Sequence, residues 1–522
     1  MDGVNFVVIL RLENQCIKMM KKTVVTTVIL AGTLLASFSA SAQYKTKDAP
    51  ENGQNPEVQA ILEQAEAAET PVVITLEQAL EIALSENVSV KVADMEIERT
   101  GFAKKGSYAA LFPQIDASGA YQRTIKKQVM YMDFDMSSLG GLGGGTGEGG
   151  ETELPDGVEI PDSESGSGGG MPDGMEVGRW NTWSGGVTAA MPLVNAQLWK
   201  SIRISGLDVE LAVEKARSSR LETVTQVKNA YFATLLAKEA FNVYKDVYEN
   251  AVSNYDEAKK KFDAEKISEM ELLRAKTTVA NAIPNVYNAE SSIILSLWQL
   301  KAVLGVDLDM NLDIAGQLAD YADHMLYDMH QHDSLDLDRN TTMKQLAIQS
   351  EMLAETIKLQ KYANIPSLAL AFNFSMNAMT NDFNFSEYRW TPYSYVGLSL
   401  NIPIFAGGKR YQAIRQAKNQ YQQVQLQTEN TERQLKIAIR QSLTTMETNM
   451  KSYYAAQDAV ASAAKGYSIA EKAYQVGRST LIELNDAQLA LTQAQLAESQ
   501  AIYNFVIAKA QLEQTLGQDF IE

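Results

Sequence analysis

The sequence predicts a mainly helical protein in which pairs of β-strands interrupt long helices, and three observations support this fold class. The same order of elements occurs twice along the chain: a helix, two strands and a long broken helix. The segments assigned to strands alternate apolar residues with small or polar ones. The segments assigned to long helices contain almost no Gly or Pro and carry a seven-residue repeat. We therefore expect a duplicated, elongated architecture.

The N-terminal region has the three-part pattern of a secretory signal peptide at residues 20–42. Two lysines follow Met20, and an apolar run then leads to the small-residue sequence "ASA" at 40–42. We interpret 1–19 as an over-called start, 20–42 as the signal peptide and 43–74 as a linker, and we expect the chain to be exported.

The composition argues against several classes of function. The only cysteine among the 522 residues, Cys16, lies upstream of the predicted signal peptide, so we expect neither disulfides nor thiol chemistry in the exported chain. The net charge of −18 argues against nucleic acid as a partner. No apolar run after residue 42 has the length of a membrane helix, so a chain of this kind would have to cross a membrane as β-strands.

The order of elements divides the chain into two structural repeats, residues 75–310 and 338–522, with a connector at 311–337. Thr75 and Gln78 form a capping-box pattern that predicts the start of the first helix. In each repeat a helix leads to two strands, and the second strand ends in "MPLVNAQ" or "IPIFAGG". A long helix follows, breaks in "FDAEKISEMELLRAK" or "YQVGRSTLIELNDAQ", and then resumes.

The predicted strands have one apolar face, as residues 368–376 and 394–404 illustrate. Lipid-facing strands show this alternation, and so does an ordinary half-buried sheet, so the pattern alone leaves both open. Aromatic residues near the strand ends favour a membrane, because such residues form girdles at membrane interfaces. They are Tyr131, Trp180, Trp183, Tyr388, Trp390, Tyr393 and Tyr395.

The segment between the first two strands, residues 133–178, is rich in Gly and carries eleven carboxylates but no Lys or Arg. Such a segment buries too little apolar surface to fold by itself. We therefore predict a disordered extracellular loop, and whether its carboxylates bind cations stays open.

The long helices predict side-by-side packing, as in a coiled coil. In the last helix Leu484, Leu491, Phe505 and Leu512 share one heptad position, and a row of alanines shares another. The alternative that this pattern leaves open is an exported periplasmic coiled-coil adaptor or structural protein. The strand pairs favour a membrane protein, and because four strands cannot close a membrane barrel, they predict a symmetric oligomer.

The two elbows quoted above, the opening "TLEQALEIALSEN" and the turn "YQVGRSTLIELNDA" resemble the TolC-type outer-membrane efflux proteins, or outer membrane factors, over about residues 75–518. The resemblance implies a homotrimer in which a trimeric α-barrel is continuous with a shared outer-membrane β-barrel. It also implies a location in the outer membrane of a Gram-negative bacterium, with a large periplasmic portion.

The resemblance further implies a passive exit duct of a tripartite efflux or type I secretion system, with neither enzymatic activity nor a cofactor. The implied partners are a periplasmic adaptor (membrane fusion) protein, an inner-membrane transporter and outer-membrane lipid. The exported substrate and the cognate pump are not implied.

In such ducts the helix tips farthest from the barrel form a periplasmic gate. The first tip has Glu265 where the family has glycine, and Arg274 stands where Asp486 stands in the second tip, which would allow the two to pair. The gate candidates carried over are Tyr474, Arg478, Glu483, Asp486, Glu271 and Arg274. The strand-to-helix elbows are Pro192, Pro403, Gly407 and Gly408, where we expect proline to end a strand and glycine to redirect the chain.

A metal site has little support in the sequence. The three histidines, His324, His330 and His332, all lie in the connector beside acidic residues. We interpret them as part of a polar linker, and we predict no metal ligands.

Overall fold

A computed structural model describes residues 71–130, 175–323, 325, 336–384 and 387–518, which all belong to one structural unit. Several predictions fall on other residues. The over-called start, the signal peptide, residues 43–70 of the linker, residues 133–174 of the acidic loop, Tyr131 and the three histidines lie outside the described residues.

The described elements follow the predicted order. The first half contains β1 (Val72–Ile74), α1 (Leu76–Glu86), α2 (Val88–Ala109), β2 (Gln114–Arg123), β3 (Gln128–Met130), β4 (Met175–Val177), β5 (Asn181–Val194), α3 (Ala196–Asp263) and α4 (Glu269–Leu304). The second half contains β6 (Leu312–Ile314), α5 (Thr341–Tyr362), β7 (Ser367–Thr380), β8 (Thr391–Asn401), α6 (Lys409–Gln475) and α7 (Leu481–Leu516). The duplication is therefore confirmed: α2, β2, β5 and the α3–α4 hairpin correspond to α5, β7, β8 and the α6–α7 hairpin.

The two repeats also share a junction that the sequence did not reveal. Asn87 caps α2 and donates from Nδ2 to the carbonyl oxygen of Val303, at the end of α4. Asn340 caps α5 and makes the same bond to Thr515, at the end of α7. Each asparagine therefore ties the start of a short helix to the end of a long hairpin.

Long helices account for most of the molecule. α3 has 68 residues and α6 has 67, so each is about 100 Å long at ~1.5 Å per residue. α3 packs on α4 along one side and on α2, α5 and α7 along others, while α6 packs on α7 and α5. Among the described helices, none combines the length and the apolar character that a membrane span requires.

The four main strands form one antiparallel sheet in the order β2-β5-β7-β8. β5 and β7, at 14 residues each, are the central strands, and they join the two repeats. Within the described part of the chain, the outer edges of β2 and β8 carry no further strand. The sheet therefore ends in two open edges.

The pairing register divides the sheet into an apolar and a polar face, as the alternation predicted. Leu370, Leu398 and Met191 lie in one cross-strand row of the apolar face. On the polar face, Asn373 pairs with Tyr395 and Ser375 pairs with Tyr393. The assignment of Tyr393 and Tyr395 to an interfacial girdle on the apolar side is therefore wrong, because they lie on the opposite face from Leu398 and its neighbours.

Short strands that were not predicted complete the described structure. β1 and β6 pair in parallel, although they lie in the predicted linker and connector. The hydroxyl of Tyr231 in α3 donates to the carbonyl of Ala315 just after β6, and the ring of Phe232 meets Tyr321 edge-on at 4.8 Å. This pair of strands thus rests on the buried aromatic core of α3. β4 occupies residues 175–177, at the end of the predicted disordered loop, and pairs with β3.

The two elbows redirect the chain by different means. Pro192 does not end β5, contrary to expectation, since it pairs with Ala369 and the strand continues through a bulge to Val194. Asn195 then caps α3 by accepting from two backbone N–H groups. In the second elbow β8 ends at Asn401, before Pro403.

The second elbow turns through a glycine pair. Gly407 and Gly408 both have positive φ, at 56° and 81°, and among the described residues no side chain caps α6. Arg410 donates to the carbonyl of Pro403 at 3.0 Å and to Oδ1 of Asn364 at 2.9 Å. It therefore ties the end of β8 to the turn that precedes β7.

Candidate functional site

The strongest candidate site is the pair of hairpin tips, where α3 turns into α4 and α6 turns into α7. The first turn comprises residues 264–268 and the second comprises residues 476–480. Each has one residue with positive φ at the same place, Glu265 at 58° and Gly477 at 75°. The following backbone N–H closes the turn on the helix in both cases, at 2.8 Å from Lys266 to Lys261 and at 2.7 Å from Arg478 to Ala473. The two tips thus have equivalent backbones.

A hydroxyl side chain caps the outgoing helix in both tips. Ser268 accepts from the N–H of Glu271, and Thr480 accepts from the N–H of Glu483. Only the second tip has the reciprocal bond, in which the Glu483 carboxylate accepts from the N–H of Thr480 at 3.0 Å. The same carboxylate accepts from the Ser479 hydroxyl, and these bonds, with that from Ser479 the largest contribution, lower the pKa of Glu483. In this chain Glu483 is therefore a capping residue.

Tyr474 lies in an apolar cluster between the two tips. It is 2% exposed and packs with Ala258 and Ala275 of the first hairpin and with Leu481 and Leu484 of the second. Its hydroxyl is buried and has no hydrogen-bond partner among the described residues. Burial raises the pKa of Tyr474 to about 12, and the carboxylates of Glu271 and Glu257 contribute in the same direction.

Lys261 joins the two tips through Tyr474. Its ammonium donates to the Tyr474 carbonyl at 2.7 Å and lies 4.2 Å from the centre of the Tyr474 ring. It also pairs with Glu257 on its own helix at 2.8 Å. We call Lys261 and Tyr474 the tip clasp. Sequence reasoning missed Lys261, because the equivalent position of the second repeat is Ala473 and the contact exists only once the hairpins are packed together.

Arg274 and Asp486 do not pair within the described part of the chain. Arg274 lines a cavity of about 650 Å³ between α4 and α7, together with Leu273, Ile482 and Asn485. Asp486 is exposed and does not line it. The polar link across this cavity is a bond of 3.2 Å from Asn485 Nδ2 to the Thr278 hydroxyl.

The remaining tip surface is partly apolar. Met270, Leu273 and Ile482 are more than half exposed and surround the mouth of this cavity, and Val476 is 70% exposed at the second turn. Arg478 is exposed beside it. Large apolar side chains at the end of a long hairpin are typical of a surface that another protein covers.

Comparison with known protein families identifies the family to which the chain belongs. The model of the outer membrane efflux protein family matches residues 79–306 and 334–518, which together are most of the chain. The chain belongs to the outer membrane efflux protein family. The predicted family, the outer-membrane localisation and the role as a transport channel rather than an enzyme are thereby confirmed.

Individual members of the family are distant in sequence and similar in fold. The outer membrane protein TolC of Vibrio cholerae is 20% identical over 342 residues, which cover 64% of this chain and 76% of that protein. The outer membrane channel CmeC of Campylobacter jejuni is 18% identical with a TM-score of 0.61, covering 87% of this chain and 91% of CmeC. The outer membrane protein VceC of Vibrio cholerae is 15% identical with a TM-score of 0.61, covering 85% of this chain and 96% of VceC.

The two matched segments of this outer membrane efflux protein each contain one helical hairpin and its tip. The family match therefore includes both tips. The tip clasp is described from the contacts of Lys261 and Tyr474 in this chain. The membership also favours the channel over the alternative of an exported coiled-coil adaptor.

Proposed function

We propose that three copies of this chain assemble into a closed outer-membrane duct that passively conducts exported molecules. The observation that carries the proposal is the open sheet: the four main strands of the described residues, with two free edges, are too few to close, whereas three sheets joined β2 to β8 give twelve strands. Free edges attract further strands, and a ring of identical chains satisfies all of them. Family relatives form trimeric channels, which supports the same stoichiometry.

The two faces of the sheet suit a shared membrane barrel. Its apolar face would contact outer-membrane lipid, and its polar face would line the lumen. The rings of Tyr121 and Trp183 lie 4.4 Å apart, tilted by 34°, near the loop end of the apolar face, where an interfacial girdle belongs. The hairpins would then extend as a trimeric α-barrel into the periplasm, with the tips at the far end.

The tips would act as the gate. The tip clasp holds the two hairpins of one chain together, and displacing one hairpin would break the Lys261 contacts and expose the Tyr474 cluster. Of the sequence-predicted gate residues, Glu271 lies beside Tyr474 and Glu483 holds the start of α7. Arg478, Asp486 and Arg274 would face neighbouring copies or the lumen, where exposed charges influence ion passage.

The apolar rim of the tips supports docking of a periplasmic adaptor. Met270, Leu273 and Ile482 offer an apolar surface of the kind that accepts the ends of another helical hairpin. An inner-membrane transporter would supply the energy through that adaptor.

The first experiment tests the duct itself. The protein is extracted from the outer membrane in detergent, its mass is measured by light scattering, and its current is recorded in planar lipid bilayers. We expect a trimer that conducts ions. A monomer recovered from the periplasm without detergent would contradict the proposal.

The second experiment tests the gate. Lys261→Met removes the ammonium of the tip clasp, and Lys260→Met makes the same change at the neighbouring exposed lysine. We expect Lys261→Met to raise the open-channel current in bilayers and Lys260→Met to leave it unchanged. Equal currents from both variants would show that the clasp does not restrain the tips.

The predicted acidic gate residues are tested separately. Asp486→Ala is expected to lower the preference of the channel for cations, measured as a shift in reversal potential under a salt gradient. Glu483→Ala removes a helix cap as well as a charge, so Glu483→Gln is the control that keeps the hydrogen-bonding shape. Unchanged currents in all three variants would exclude an acidic gate at this tip.

A further inference from the structure

The polar face of the sheet carries a belt of one acidic and two aromatic side chains, Asp116, Tyr393 and Tyr395. In one cross-strand row Asp116 pairs with Thr188, Thr188 with Asn373, and Asn373 with Tyr395. In the next row Ser118, Gly186, Ser375 and Tyr393 follow each other in the same way. The two rows therefore align a carboxylate and two phenol rings across all four strands.

The two tyrosines are the largest side chains in these rows. Tyr393 is 61% exposed and Tyr395 is 46% exposed, and their ring centres are 5.8 Å apart at an interplanar angle of 47°. The next residue on the same face is Gly397, and the Tyr395 ring lies beside it, 3.8 Å from the position that a Cβ would occupy. Both rings project from a face of otherwise small polar residues, so they would narrow a lumen that this face lines.

We propose that Asp116, Tyr393 and Tyr395 form a belt in the lumen of the barrel that constricts the channel and selects aromatic cations in transit. The inference rests on the proposed trimeric duct, because only a closed barrel turns the polar face into a lumen. Three copies then place three carboxylates and six phenol rings around the pore.

The chemistry of the belt matches that class of solute. A ring of carboxylates attracts cations and repels anions. A phenol ring attracts a cation that lies over its face, and it stacks on flat apolar solutes. An aromatic cation can interact with both kinds of group as it passes the belt, whereas a small inorganic ion lacks the flat rings that stack on tyrosine.

The orientation of the belt is tested first, by thiol labelling in a Cys16→Ser background. Tyr395→Cys and the matched Val396→Cys place a thiol on adjacent residues of one strand, on opposite faces. We expect a charged, water-soluble thiol reagent to reduce the bilayer current of Tyr395→Cys and to leave Val396→Cys unchanged. The reverse pattern would overturn the proposal.

The selectivity is tested by block of the bilayer current with tetraphenylphosphonium. Replacing both rings, as Tyr393→Ala with Tyr395→Ala, is expected to raise the conductance and to weaken the block about five- to thirtyfold, the range that follows from cation–π attraction. The double Phe variant keeps both rings and should retain the block. Asp116→Asn should lower the permeability ratio of K⁺ to Cl⁻ and weaken the block.

The outcomes separate this proposal from the duct itself. If the wild-type protein forms no conducting trimer, the proposed function fails. If the wild type conducts, but the alanine and Asp116→Asn variants match it in conductance, ion preference and block, the duct stands and the belt is overturned. Should the double Ala variant fail to assemble, the Phe variant, Asp116→Asn and the thiol labelling still decide the question.

Discussion

The two hairpin tips have the same backbone but differ in where their side chains lie. Phe262 and Tyr474 stand at equivalent positions, three residues before the positive-φ residue of each turn. Phe262 is 36% exposed, whereas Tyr474 is 2% exposed between the hairpins. Lys261, next to Phe262, reaches across to the second tip, and its counterpart Ala473 makes no reciprocal contact of this kind.

This difference shows how a duplicated protein can make one interface from two equal halves. The backbone turn and the helix cap are local, so they persist in both repeats. The contact between the hairpins joins a hydrogen-bond donor on one tip to an acceptor on the other, so the two repeats differ at these positions. The first tip supplies the cation, and the second supplies the ring and the carbonyl. Variants that exchange or remove these features test the comparison.

The largest effect is expected from Leu484→Ala. Leu484 is fully buried in the tip cluster, and removing a buried leucine costs about 2–5 kcal/mol through lost burial and the cavity left behind. We expect faster amide hydrogen exchange in both tips, measured by mass spectrometry on the purified protein. The matched change is Leu272→Ala at the equivalent, half-buried position, which should cost less. Equal effects would mean that the tips are energetically equivalent.

Tyr474 predicts a pH dependence of the packing between the two tips. An unfolded tyrosine loses its proton near pH 10, whereas burial raises the pKa of Tyr474 to about 12. The packed tip therefore holds the proton more tightly. The contribution of the buried, protonated Tyr474 to the stability of the packed tips is fully present below about pH 10 and falls as pH rises towards 12.

This dependence can be measured as the rate at which subtilisin cleaves the tips between about pH 9 and pH 11. Tyr474→Phe removes the titrating group and a hydroxyl that has no partner in the described chain, so it should flatten the rise in cleavage rate with pH. Phe262→Tyr, which places a phenol at the exposed equivalent position, should not change the profile. A rise that persists in Tyr474→Phe would assign the effect to another group.

The caps predict a smaller difference. Loss of a Ser or Thr cap costs about 1 kcal/mol of helix stability. Thr480→Ala removes the hydroxyl that accepts from Glu483 N–H but keeps the backbone N–H that donates to the Glu483 carboxylate, whereas Ser268→Ala removes the side-chain bond of a cap without a reciprocal bond. Exchange at the start of α7 should therefore increase less in Thr480→Ala than exchange at the start of α4 does in Ser268→Ala. The opposite ranking would show that the reciprocal bond adds no stability.

The smallest effect is expected from the turn residues themselves. A side chain in the left-handed region costs about 1 kcal/mol, so Glu265→Gly should slow local exchange in the first tip, and Gly477→Ala should accelerate it in the second. Open space surrounds the position of the added Cβ at Gly477, so the effect would come from the backbone alone. Effects of the same sign in both variants would contradict this interpretation.

Much of the fold could be predicted because its determinants are periodic or local. The duplicated order, the capping box at Thr75 and the uninterrupted α6 follow from patterns that a helix or strand imposes on neighbouring residues. β1 and β6 were missed because three-residue strands lack a readable period and pair across more than 200 residues of chain.

The site was less predictable than the fold because its contacts join distant segments. Glu483 was chosen for its charge, and its capping role depends on the hydroxyls of Ser479 and Thr480. Lys261 gave no signal, because its partner lies in the other repeat. Tyr393 and Tyr395 were assigned to a girdle by residue type, although counting the alternation from Leu398 would have placed them on the polar face.

The pairing of β5 with β7 has a consequence for the order in which the chain folds. Gly185 pairs with Met376, and the whole α3–α4 hairpin lies between them in sequence. Helical contacts within that hairpin close short loops and form fast, whereas the central strand pair must wait until the second repeat has emerged. We expect newly exported chains to pass through a state in which the first hairpin is formed and β5 still lacks β7, visible as amide protection in α3 and α4 that precedes protection in β7.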